Sequence, residues 1–260
     1  AAKQGSISSL PMVVEVNVTN RNPNPIAGSS GALSLGGQPA TVESDDTLDM
    51  SGQSFTVEAW ARRSDNSTDL QAIFSFLSDP STNRPGATFG WFPGGLVGLQ
   101  ITNVLPKADL QSSTPYTDTG WHHYAAVFDA KTGHQEIFRD GVSLGSNTVT
   151  SATLGGGRIF LGSVGGTSGF FKGAIDEFRL WTRARSRSEI LDSKDRPLVG
   201  NESDLRVYYR FDEGNGLTAY DATSASASTV HFDARIVNPA SWISTVPTNF
   251  ATLDIPENSP

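Results

Sequence analysis

GAIDEFRLW, residues 173–181, places two carboxylates side by side inside an apolar run. On a β-strand, neighbouring side chains point to opposite faces. Plain alternation puts Asp176 with Ala174, Phe178 and Leu180, and Glu177 with Ile175, Arg179 and Trp181. The first face is the more apolar, so Asp176 is expected to be buried, and a buried carboxylate must be hydrogen-bonded, paired or bound to a metal. Calcium suits it, because hard cations take carboxylate and carbonyl oxygens. A bond from backbone N–H groups or from an indole suits it equally well. Glu177 and Arg179 are expected to form an exposed ion pair that contributes little.

The same strand character runs through the chain. MVVEVNVTN (12–20), SFTVEAWARR (54–63), QAIFSFLS (71–78), LVGLQITN (96–103), WHHYAAVFD (121–129), HQEIFRDG (134–141), RIFLGS (158–163) and LRVYYRFDE (205–213) are short runs rich in β-branched and aromatic residues. Turn clusters separate them: AKTG (130–133) reads as a hairpin loop and Asp140-Gly141 as a tight turn. One helix is signalled, by Ser186 and Glu189 at capping-box spacing ahead of Ile190 and Leu191. Many strands and one short helix predict an all-β fold, a two-sheet antiparallel jelly-roll sandwich. Its core domain is expected over 30–237, after an N-terminal strand and linker (1–29) and before an exit linker (238–260).

Composition narrows the chemistry. The 260 residues suffice for a large core, and Gly 26 and Pro 14 suit a fold with many turns. Without cysteine there is neither a disulfide framework nor a thiolate zinc site. A net charge of −8 argues against nucleic-acid partners. Arg183, Arg185 and Arg187 form the only basic knot and are expected to be a solvated face. No stretch approaches the length of a membrane span, and AAKQGSISSLPMVV lacks the apolar centre of a signal peptide.

Asp176 and Glu177 cannot flank one glycosidic bond if they point to opposite faces. Two E-x-D pairs, Glu43/Asp45 and Glu202/Asp204, would share a face, but both sit in turn-like contexts with no third acid in register. His122 and His123 diverge for the same reason as the carboxylates, and His134 falls opposite Asp129, far from both. No G-x-S-x-G elbow is present, and the glycines at 155–157 and 165–166 read as turns.

SFTVEAWARR, GWHHYAAVFD, FRDGVSLG, RIFLGS, FFKGAIDEFRLWTRARSRSEI and LRVYYRFDEGNG together, in that order, resemble the laminin-G-like and pentraxin-like jelly-roll domains, also grouped as concanavalin A-like lectin/glucanase folds. The resemblance spans about residues 31–222. It implies two packed sheets, mostly non-catalytic binding of carbohydrates, glycoproteins or matrix partners, and often calcium. It would make Asp176 a calcium ligand, although Gly36, Pro39 and Ala40 replace the acidic and tyrosine positions usual in the family's opening strand. Asp79 and Asn83 in LSDPSTNRPG fall near a pentraxin-type ligand position, whereas the loop GSVGGTSGFFKG (162–173) carries no acid. LDIPENSP (253–260) resembles the first strand of a cadherin repeat, with Glu257 as its calcium-ligand glutamate, and suggests a piece of a longer multidomain chain.

The expected function is a non-catalytic recognition module of a large extracellular or cell-surface adhesin-like protein. Its partners would be a carbohydrate or glycoprotein and the neighbouring domains. An architectural spacer and a divergent glycan-cleaving enzyme are the alternatives. Trp91 and Phe92 in FGWFPGG (89–95), placed near a turn, are the candidate sugar platform, with core packing as the competing reading. Trp60, Trp121 and Trp181 are expected to be structural.

Overall fold

The computed structural model describes residues 31–37, 41–79, 84–102, 104–105, 109–152, 154–223, 232–237 and 241–244. Along the chain come β1 (Gly31–Gly36), β2 (Thr41–Ser44), β3 (Leu48–Asp49), β4 (Phe55–Arg63) and β5 (Gln71–Asp79). Then follow β6 (Arg84–Phe92), β7 (Leu96–Ile101), β8 (Val104–Leu105), β9 (Leu110–Gln111) and β10 (His122–Asp129). β11 (His134–Arg139), β12 (Val142–Thr148), β13 (Ser151–Ala152), β14 (Gly156–Leu161) and β15 (Lys172–Trp181) lead into the helix α1 (Arg187–Ser193). β16 (Leu205–Tyr209), β17 (Thr218–Ala219), β18 (Ala234–Val237) and β19 (Ser241–Ser244) complete the described elements.

Two antiparallel sheets pack face to face, as the strand-rich sequence predicts. One runs β12-β11-β10-β4-β15-β1-β19 with β16 beside β15, and the other β17-β18-β2-β14-β5-β6-β7-β9 with β3 beside β14. Alternation decides what lies between them. Phe55, Val57, Ala59 and Ala61 of β4 and Tyr124, Ala126 and Phe128 of β10 face inward into one large core. The intervening Thr56, Glu58, Trp60 and Arg62 therefore line the outer face of the first sheet. Ala125, Val127 and Phe138 on that outer face are capped by Ile190 of α1.

The local signals in the sequence act as expected at several places. Ser186 and Glu189 form the capping box, with the Ser186 side chain accepting the Glu189 N–H and the Glu189 side chain accepting the Ser186 N–H. Ile190 is buried, while Leu191 is exposed. Asp140 and Gly141 both take positive φ, the conformation a two-residue hairpin requires. His134 pairs opposite Asp129. The segment expected to be an exit linker from 238 onward contributes β19, which pairs with β1. The expected strand 12–20 and the cadherin-like 253–260 with Glu257 lie outside the described residues.

The opening stretch departs from plain alternation. β15 pairs Asp176 with Trp60 and next Arg179 with Glu58, so Glu177 and Phe178 together oppose the single Ala59. This is a β-bulge, with Glu177 at φ 51 in the left-handed region. Asp176 stabilises it directly, its Oδ1 accepting the Glu177 N–H at 2.9 Å. The extra residue turns Phe178 inward beside Ile175 in the core. Asp176, opposite the outward-facing Trp60, is thereby on the outer face and not with Phe178 as alternation predicts. The expected exposed pair of Glu177 and Arg179 is likewise corrected: both are buried, at 1% and 0% exposure.

Candidate functional site

Two groups of polar residues occupy the outer face of the first sheet. The first lies under α1 and the segment after it. Glu177 Oε2 accepts from Arg179 Nη2 at 2.9 Å and from the Tyr208 hydroxyl. Arg179 also donates to the carbonyls of Ser193 at 2.9 Å and Arg196 at 2.7 Å. Glu58 accepts from Arg185 and lies 3.4 Å from His123 Nε2. Trp60 Nε1 donates to the Lys194 carbonyl at 2.7 Å.

Burial pushes the Glu58 carboxyl up, but the His123 hydrogen bond and the charges of His123, Arg185 and Arg179 outweigh it and hold the pKa below the usual range. Burial lowers that of His123. The carboxylates of Glu177 and Glu58 keep Arg179 charged despite its burial. All of these side chains are buried, so the network ties the helix segment to the sheet. Arg185 is 6% exposed, 4.1 Å from the Trp181 ring centroid, which corrects the solvated reading for that residue, whereas Arg183 is half-buried and Arg187 exposed.

The second group is open. Arg62 pairs across strands with Ala174, and Ala174 with Ser34, so one row crosses β4, β15 and β1 on the outer face. With Gly36, Arg63, Ser64, Thr119 and Gly173 these residues line a trough of about 350 Å³. Small side chains at Ser34, Gly36, Gly173 and Ala174 make it hollow. Gly173 has its own structural reason, since a Cβ there would meet the Arg62 carbonyl at 2.0 Å. Arg62 forms one wall, its guanidinium 5.4 Å from the Trp121 ring centroid. No carboxylate among the described residues reaches Arg62, and the hydroxyls of Ser34, Ser64 and Thr119 have no partner among them. Three hydroxyls, a planar cation and a neighbouring indole are the kind of groups that read a polyhydroxylated ligand.

A second hollow, of about 330 Å³, is lined by Arg210, Asp212, Glu213, Tyr220 and Ala222. Its charged groups are only partly engaged: Arg210 Nε lies 3.4 Å from Asp212 without a hydrogen bond, and Glu213 Oε1 accepts the Tyr220 N–H at 2.8 Å while its Oε2 has no hydrogen-bond partner among the described residues. Tyr220 is 60% exposed.

The residues singled out in the sequence are not brought together. Trp91 belongs to β6 and is 1% exposed in the core, a correction to its expected role as a sugar platform. Phe171 stacks on it, Tyr124 meets it edge-on, Arg63 lies 5.3 Å from its centroid, and its Nε1 donates to the Tyr116 carbonyl. Phe92 is buried against Gly98, so it too offers no open face. The backbone of Asp79 ends β5, while its side chain and the whole of Asn83 lie outside the described residues. Arg62 and the row it heads were missed, because the row exists only once three strands are in register.

Asp176 does not fit a calcium ion. Its Oδ1 is engaged by the Glu177 N–H, and among the described residues no group of three or more His, Asp or Glu side chains could hold a metal. Millimolar calcium against excess chelator is accordingly expected to move the unfolding midpoints of the parent and of Asp176→Ala alike. A native-state site held by Asp176 would add about 2.7 kcal/mol at hundredfold excess over its Kd, or several degrees, and a shift of that size that Asp176→Ala loses would overturn this reading.

A profile described as the concanavalin A-like lectin/glucanases superfamily matches residues 17–191. No curated protein matches the sequence. Among solved structures, a candidate carbohydrate-binding protein from Bacteroides ovatus has a TM-score of 0.64 at 16% identity, over 83% of this chain and 60% of that one. The present chain thus spans about 60% of that relative. A SAP-like pentraxin from Limulus polyphemus (TM-score 0.48, 17% identity) is covered over 81% of its length by 63% of this chain. The Ruminococcus gnavus IT-sialidase CBM40 (TM-score 0.49, 13% identity) is covered over 96% of its length, again by 63% of this chain.

Proposed function

The chain belongs to the concanavalin A-like lectin/glucanases superfamily, and we propose that it is a carbohydrate-binding domain whose ligand lies in the Arg62 trough. The observation that carries this is the trough itself: an exposed arginine free of any described carboxylate, beside an indole, with three unpartnered hydroxyls around about 350 Å³. That volume falls at the small end of ligand pockets. In this reading the domain presents its outer sheet face to a glycan, or to the glycan of a glycoprotein, as one module of a longer extracellular or surface chain. Among the described residues no helix is long and apolar enough to cross a membrane.

A glycan screen followed by calorimetric titration tests the proposal. Arg62→Ala is expected to weaken binding roughly ten- to hundredfold, the loss of a charge-assisted hydrogen bond of about 1.5–3 kcal/mol. Its unfolding midpoint should stay near that of the parent, because Arg62 is exposed. Unchanged affinity in Arg62→Ala would move the site elsewhere. A screen with no binder at all would favour the architectural spacer.

A further inference from the structure

We infer that the trough selects a sugar bearing a carboxylate, with Arg62 as the group that reads it. This rests on the trough being the glycan site. The first observation is how other open or half-open arginines are spent. Arg139 lies 2.5 Å from Asp118, Arg158 2.6 Å from Glu43, Arg183 2.7 Å from Glu189 and Arg210 3.4 Å from Asp212. The chain carries a net charge of −8, so acidic partners are in excess. Exposed Arg187 and Arg196 bond only to the carbonyls of Gly141 and Asp192, but neither lines a hollow; Arg62 does, with its guanidinium beside an indole and no described carboxylate in reach.

The second observation is the local charge. Beside Arg62, Lys172 pairs opposite Gly36 on the neighbouring strand, while the Arg63 guanidinium lies on the inner face against Trp91. Asp65 lies 3.8 Å from Arg63 and 3.5 Å from Lys172, so it is shared between two cations. Asp118, next in the chain to Thr119, is taken by Arg139 and by His122 at 2.8 Å. The field at the trough is therefore positive within an acidic protein, and it favours an anion.

The third is shape. A guanidinium presents paired N–H groups in a plane that matches a carboxylate with two parallel bonds, and the Trp121 ring 5.4 Å away holds the Arg62 guanidinium beside the trough. Ser34, Ser64 and Thr119 are placed around it to meet ring hydroxyls. A neutral sugar would satisfy those hydroxyls and leave the arginine facing water.

The test uses matched probes: sialyllactose against lactose, and trigalacturonate against its carboxyl-reduced form, each titrated into the parent protein, Arg62→Lys and Arg62→Ala. At least one acidic probe is expected to bind roughly tenfold or more tightly than its neutral counterpart. Arg62→Ala should abolish that difference and Arg62→Lys should keep only part of it, since a point charge lacks the planar fork. Acidic and neutral probes binding equally would overturn the carboxylate selectivity while leaving the glycan site standing. A sulfated galactan trimer binding as tightly as trigalacturonate would show that charge alone is read, and would overturn the carboxylate assignment. Failure of every probe, neutral and acidic alike, would remove the glycan site together with the inference.

Discussion

Arg179→Ala is expected to destabilise the domain by about 3–5 kcal/mol, the range for removing one partner of a buried ion pair. The side chain is 0% exposed. It joins three parts of the structure at once: Glu177 on its own strand and the carbonyls of Ser193 and Arg196 at the end of the helix segment. Its loss leaves Glu177 supported only by the Tyr208 hydroxyl, removes a positive charge that helps hold Glu58 ionised, and opens a void. Arg179→Lys should recover little, because one ammonium cannot serve Glu177 and two carbonyls in that planar arrangement. Urea unfolding measures the change. A loss below about 1 kcal/mol, the level of a surface pair, would mean that Glu177 and Arg179 reach water after all.

Trp91→Ala is expected to lose about 3–5 kcal/mol as well, the range for removing a large aromatic from a packed core. The indole is packed against Phe171, Tyr124 and Arg63, and its N–H is bonded to the Tyr116 carbonyl. The destabilisation should come without a change in glycan affinity for the fraction that stays folded. Equilibrium unfolding and titration at a temperature well below the midpoint separate the two effects. A variant of parental stability that no longer binds glycan would restore Trp91 as a ligand platform.

The contrast between Trp91 and Asp176 shows what could be read in advance. Strand character, the capping box at Ser186, the hairpin at 130–133 and the turn at Asp140-Gly141 depend on neighbours in the chain, and each formed as its residues require. β6 was hidden by its glycines. Gly90, between the apolar positions Phe89 and Trp91, reads with Pro93, Gly94 and Gly95 as part of a turn, yet it is there because a Cβ would meet the Gln71 carbonyl of β5 at 2.3 Å. Trp91 therefore looked like part of a turn while being the inward residue of a strand. The bulge at Glu177 was hidden for a related reason. A one-residue slip is invisible in a run whose every residue is buried, since no exposed position marks the phase. The trough was beyond reach altogether, because Ser34, Arg62 and Ala174 meet only through the pairing of β1 and β4 with β15.

Residue-resolved hydrogen exchange with and without a saturating acidic glycan is the most direct test of the trough. Slowed exchange is predicted at 34–36, 62–64, 119–121 and 173–174, the segments that wall it, with residues 210–222 around Tyr220 unchanged. Protection confined to 210–222, in a protein that does bind the glycan, would contradict the assignment and move recognition to the hollow beside Tyr220.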